Sequence, residues 1–165
     1  MQESELFFPL FTTFILLGVI ERVKRTFYKA KNGKIYFKRS FPVLFITYLL
    51  CIFSAIFEYL ILRRELRFTV TFLGCVMYLS GMILRNSAIK TLGDQWSIHI
   101  DLKKTRGIVR RGPYRYIRHP YYIAVLFELG GFSLIPNSYY TTFLVLGTQL
   151  PLVFLRIYYE EKYVS

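Results

Sequence analysis

The chain has 165 residues, a length for one domain, and sets 22 Lys and Arg against 10 Asp and Glu for a net charge of +12. Its apolar residues, 54% of the total, fall in long runs that are apolar all round and rich in Phe, Leu and Ile, which excludes an ordinary soluble domain with amphipathic elements. The charges flank those runs and do not line one helix or groove, so the expected counter-charge is anionic lipid and not nucleic acid.

In chain order the runs are Leu6–Ile20, Phe41–Leu62, Phe68–Leu84, Tyr121–Pro136 and Ser138–Leu155. They predict an all-α, polytopic membrane protein of one domain, 1–165, with about five transmembrane helices near 6–20, 41–62, 68–84, 121–136 and 138–157. The first run reaches only about 22 Å against about 30 Å of hydrocarbon, so its helix must extend into its flanks or sit where the bilayer thins. A cleaved signal peptide does not fit, because Glu3 and Glu5 stand where a basic region belongs and no small-residue cleavage site follows.

Arg22, Lys24, Arg25, Lys29, Lys31, Lys34, Lys38 and Arg39 crowd the first connection, and a second basic cluster fills the connector 85–118. Both are expected in the cytoplasm, with the acidic start outside and Glu160, Glu161 and Lys162 inside. Arg63, Arg64 and Arg67 then snorkel from a short outer turn. The connector carries Trp96, Ile98, Ile100, Ile108 and Val109, so it should fold against the helix ends. Cys51 and Cys75 fall inside spans without disulfide or metal spacing, and no metal site is expected. Gly74, Gly81, Gly130 and Gly131 suit close helix packing.

The polar pieces gather at the cytoplasmic ends of the last two spans. Pro120 fits the first turn of the fourth helix, with Arg118 and His119 just before it and Tyr121 and Tyr122 in the opening turn. The free amides of that turn are suited to a carboxylate, although an interfacial aromatic belt is the other reading of each residue alone. In the fifth span, Gln149 and Pro151 interrupt the apolar run, and Pro151 leaves the Gly147 carbonyl without its helical partner. Beyond them Arg156 and Glu160 share one face at i, i+4. Pro136-Asn137-Ser138 is too short for anything but an antiparallel hairpin. Glu128, two turns into a span, costs at least about 2.5 kcal/mol unless paired, protonated or facing a cavity, and is a site candidate by default. Glu58 is close enough to Arg63 to reach the outer interface.

Gly112-Pro113-Tyr114, Arg118-His119-Pro120-Tyr121-Tyr122 and Arg156-Ile157-Tyr158-Tyr159-Glu160-Glu161 together resemble the signature of the isoprenylcysteine carboxyl methyltransferase family, which is related to membrane phospholipid methyltransferases. Leu92-Gly93-Asp94-Gln95-Trp96-Ser97 and Arg106-Gly107-Ile108-Val109 also fit, so the similarity covers roughly the C-terminal half. The resemblance implies an S-adenosylmethionine-dependent methyltransferase whose cofactor lies in a cytoplasm-facing pocket at the C-terminal helical hairpin. It assigns the cofactor contacts to Arg106, Gly107, Ile108, Val109, Tyr114, His119, Pro120, Tyr121, Tyr122 and Glu160, with His99 as an addition. Arg156 matches the arginine that engages the acceptor's carboxylate.

The implied acceptor is lipophilic or prenylated, with carboxyl methylation foremost and alkylpyrone O-methylation or phospholipid N-methylation as alternatives. A carboxylate needs no base, whereas an enol or amine would make Glu128 or His99 a candidate base. Two departures stand out: Ala124 where many relatives have Gly, and a chain that stops at Ser165 where the family usually continues. A small membrane scaffold is the reading outside enzymology.

Overall fold

The computed structural model describes residues 2–28, 40–62, 65–93, 96 and 109–164. Among them are five α-helices, α1 Gln2–Tyr28, α2 Ser40–Leu62, α3 Phe68–Leu92, α4 Pro120–Leu134 and α5 Tyr139–Val164, with a 3-10 turn at Gly112–Arg115 and no strand. Phe45–Leu62, Phe68–Leu92 and Tyr139–Lys162 are long and apolar enough to cross a membrane, while α4 is apolar but shorter. The outward faces carry large bare apolar side chains, such as Phe72 at 72% and Phe143 at 73% exposure, which a hydrocarbon surround accommodates.

Helices α3 and α4 touch backbone to backbone. A side chain at Gly81 would come within 2.8 Å of the Glu128 amide nitrogen and 2.9 Å of the Ala124 carbonyl oxygen. One at Gly131 would sit 2.4 Å from the Tyr78 nitrogen, and one at Gly74 2.7 Å from the Ile135 nitrogen. Small residues here permit the close approach that membrane helices need in place of a hydrophobic driving force. Gly130 behaves differently, since it meets only the end of Met77 at ordinary contact distance.

Aromatic residues hold α1 against the bundle. Phe11 is buried and lies 5.5 Å, centroid to centroid, from Phe132 of α4, while Phe14 meets Tyr78 of α3 at 4.9 Å and Phe7 meets Tyr59 of α2 at 5.6 Å.

At one end of the bundle the 135–138 turn joins α4 to α5. Asn137 takes φ +59°, a left-handed conformation that Asn tolerates, and its amide donates to the Thr71 hydroxyl while its carbonyl oxygen accepts from the Arg67 amide. Glu58 of α2 caps α5: one carboxylate oxygen accepts from the Tyr140 amide at 3.1 Å, the other from the Thr141 amide at 2.7 Å and hydroxyl at 2.9 Å. The capping role replaces the expected reach of Glu58 toward the interface, because the first amides of a buried helix need an acceptor.

Helices α1, α3 and α5 outrun the expected spans, while α4 ends at Leu134, short of 136. Helix α1 covers Gln2–Tyr28 against 6–20, and α5 continues to Val164 past 157. Helix α3 continues to Leu92 through the start of the expected connector 85–118, because Arg85 turns inward, is 1% exposed and finds carboxylates inside the bundle. It stops at Gly93, whose φ of +52° suits glycine.

Candidate active site

The end of the bundle opposite the 135–138 turn collects the first turn of α4, the last turns of α5 and the 3-10 turn. Pro120 occupies the first helical position of α4, where its missing N–H removes nothing, and His119 is the N-cap without a side-chain capping bond. This leaves Tyr121 and Tyr122 at the helix mouth. Tyr122 is buried, and its hydroxyl donates to Glu160 at 2.7 Å while accepting from Arg156 Nε at 3.0 Å. One phenol therefore bridges the i, i+4 pair on α5 from the neighbouring helix.

His119 completes the ring of polar groups, with Nε2 3.3 Å from a Glu161 oxygen and Nδ1 3.9 Å from a Glu160 oxygen. Its ring centroid is 5.9 Å from that of Tyr122, and the Arg156 guanidinium carbon lies 5.6 Å from the same Tyr122 centroid. Tyr114, on the 3-10 turn, faces this cluster: burial, with the Glu160 carboxylate near it, pushes its phenol up and keeps it neutral. The turn is seated on α3 because Gly112, at φ +54°, leaves room for the Thr91 hydroxyl, which a side chain there would meet at 2.5 Å.

Tyr121 packs against Trp96 with centroids 4.7 Å apart and meets Tyr122 edge-on at 5.9 Å. The Trp96 indole nitrogen is buried without a hydrogen-bond partner among the described residues. Val109 lies half-buried just ahead of the 3-10 turn. His99, Arg106, Gly107 and Ile108 lie outside the described residues.

Glu128 belongs to a different cluster. It is 2% exposed, and its oxygens accept from Arg85 Nε at 2.7 Å and from Arg22 Nη1. Arg85 also pairs with Glu21, which takes the Asn86 amide at 2.9 Å, and the Arg22 guanidinium lies 4.1 Å from the Tyr48 ring centroid. Two arginines and two glutamates thus balance one another across α1, α3 and α4. Sequence reasoning passed over Glu21, read Arg22 and Arg85 as cytoplasmic loop charges, and placed Trp96 in the connector and the family motif without a site role. The available signal was spacing, since Glu21 and Arg22 directly follow an apolar run too short to span alone.

The ordered site end coincides with the part of the chain that is similar to known proteins. Residues 72–165, more than half the chain, match the isoprenylcysteine carboxyl methyltransferase (ICMT) family. The chain belongs to this family. With its apolar helices, it is a membrane protein of a methyltransferase family. Protein YpbQ of Bacillus subtilis (strain 168), itself uncharacterized, is 30% identical over 134 residues, covering 80% of this chain and 79% of that one. An uncharacterized protein of Haemophilus influenzae is 29% identical over 138 residues, covering 82% and 79%. No solved structure matches. Within the family signature, the fold brings Tyr122, Arg156 and Glu160 into direct contact and sets His119 against Glu161.

Proposed function

We propose that this member of the methyltransferase family transfers a methyl group from S-adenosylmethionine to a lipophilic or prenylated acceptor, most directly to its carboxylate, at the cytoplasmic end of α4 and α5. The carrying observation is the Tyr122 hydroxyl that joins Arg156 to Glu160. When bound, S-adenosylmethionine supplies an electrophilic methyl group on a sulfonium centre.

The residues present suit that cofactor. Glu160 and Glu161 offer carboxylates for an ammonium or for ribose hydroxyls, the faces of Tyr121 and Tyr122 attract a cation, and the Trp96 indole N–H, without a partner among the described residues, offers a buried donor. The uncapped first turn of α4 offers backbone amides to a carboxylate. Val109, Tyr114, His119 and Pro120 line the approach in this reading, and the family resemblance assigns His99, Arg106, Gly107 and Ile108, which lie outside the described residues, to the same cofactor.

Arg156, held at Nε by Tyr122, would bind the acceptor's carboxylate and orient it toward the methyl group that the cofactor would supply. A carboxylate would accept the methyl group as the anion, with the bond's electron pair returning to the cofactor's sulfur, so no residue of this site would have to remove a proton. Surrounding rings exclude water. The engagement of both Glu128 oxygens by guanidinium groups favours an acceptor that needs no base over an enol or amine. Glu128 then acts as the buried anchor of two arginines. Incubating purified protein with methyl-labelled S-adenosylmethionine and membrane lipid extracts should yield a base-labile labelled methyl ester by mass spectrometry. Label on an amine or a stable ether redirects the acceptor class. If neither label nor cofactor binding is found, the enzyme reading gives way to that of a membrane scaffold.

A further inference from the structure

Polar side chains buried along α5 are mostly satisfied within the bundle. Toward the 135–138 turn, Thr141 binds Glu58 and Ser54, and Thr142 binds Ser133. At the site end Tyr122 binds Arg156 and Glu160. Between these groups stands Gln149, fully buried, whose amide oxygen and nitrogen both lack a hydrogen-bond partner among the described residues. The Cys51 thiol lies beside it and is a weak donor that cannot satisfy both ends of an amide. An amide held in an apolar interior with neither end paired is costly, and such groups are rare unless something else pairs with them.

Position gives that partner a geometry. Gln149 precedes Arg156 by seven residues, so it lies on nearly the same helix face, about 10 Å deeper into the bundle. Pro151 has no N–H to return to the Gly147 carbonyl, so α5 is least constrained by its own ladder around Gln149.

We propose that Gln149 is an acceptor-binding residue that reads a second polar group on the lipid, an amide or hydroxyl about 10 Å from the carboxyl held by Arg156. A hydroxyl can accept from the amide nitrogen and donate to the amide oxygen, and an amide linkage meets one end through its carbonyl or its N–H. A purely hydrocarbon or polyisoprenoid chain would leave both unmet. The inference rests on the reading of Arg156 as the carboxylate-binding residue and narrows the acceptor from any lipophilic acid to one interrupted by a hydrogen-bonding linkage.

The test uses two long-chain carboxylic acids of equal length, one carrying a secondary amide about 10 Å from its carboxyl and one all-methylene, with binding measured on detergent-purified full-length protein. The native protein should bind the amide acid about tenfold or more tightly than its partner, and Gln149→Leu and Gln149→Met should bind the two alike. Equal binding by the native protein, or a preference that survives in both variants, overturns the proposal. Calorimetry with S-adenosylhomocysteine on the same samples reports an intact fold. Failure of the native protein to bind it would sink the methyltransferase reading, whereas acid preference is read without turnover and stands or falls separately.

Discussion

Tyr122 does two things with one hydroxyl, and the substitutions around it separate them. Tyr122→Phe keeps the ring against His119 but cuts the link between Arg156 and Glu160, so turnover should drop about ten- to a hundredfold, about 1.4–2.8 kcal/mol of barrier. Radiolabelled methyl transfer checks this; an unchanged rate removes the bridge from the chemistry. Glu160→Ala should weaken S-adenosylmethionine binding by about 1.5–3 kcal/mol in calorimetry, the range for hydrogen bonds to charged groups. Arg156→Lys retains the charge and loses the planar fork, so with a carboxylate acceptor the rate should fall by about one to three orders of magnitude while cofactor affinity holds. If Arg156→Lys is tolerated, the acceptor is not a carboxylate gripped through two hydrogen bonds.

At the scale of elements, the α3–α4 contact depends on absent side chains. Gly81→Leu would drive a branched group into the Glu128 and Ala124 backbone, and the helices must separate by more than side-chain rotation allows. Thermal unfolding in detergent should show a loss of about 3 kcal/mol or more, at the upper end of overpacking costs. Gly130→Ala, next to Gly131 but against the flexible end of Met77, should be close to neutral. At the α2–α5 contact, Glu58→Ala strips the cap from three donors at the start of α5 and should cost about 2 kcal/mol in the same assay.

For the whole molecule, the expected topology puts Tyr116, 82% exposed beside the site, and Tyr140, 67% exposed beside the opposite turn, on different sides of the membrane. Tyr116→Cys should react only with reagent reaching the cytoplasmic face and Tyr140→Cys only with reagent added outside; labelling of both from one side rejects the arrangement. Much of this molecule was legible as sequence. Apolar runs foretold the helices, Pro120 marked the start of α4, and the Arg156–Glu160 spacing foretold a shared face. Glu128 announced itself as an unusual buried charge, but its partners did not, because Arg22 and Arg85 look like loop cations until the helices that carry them are seen to continue. The Tyr122 bridge was equally hidden: helical periodicity relates residues on one helix, and the contact crosses between two.

The balance of charges around Glu128 spans a boundary in the chain, since Glu21 and Arg22 lie ahead of residue 72, where the family match begins, and Arg85 and Glu128 lie after it. The half that carries the family match is therefore neutral here by itself, as the Arg85–Glu128 pair, and α1 lays a second neutral pair, Glu21 and Arg22, against it. An N-terminal helix that replaces α1 has to bring to that depth either no charge or an anion and a cation together, a requirement on two residues that leaves the rest of that helix free to diverge.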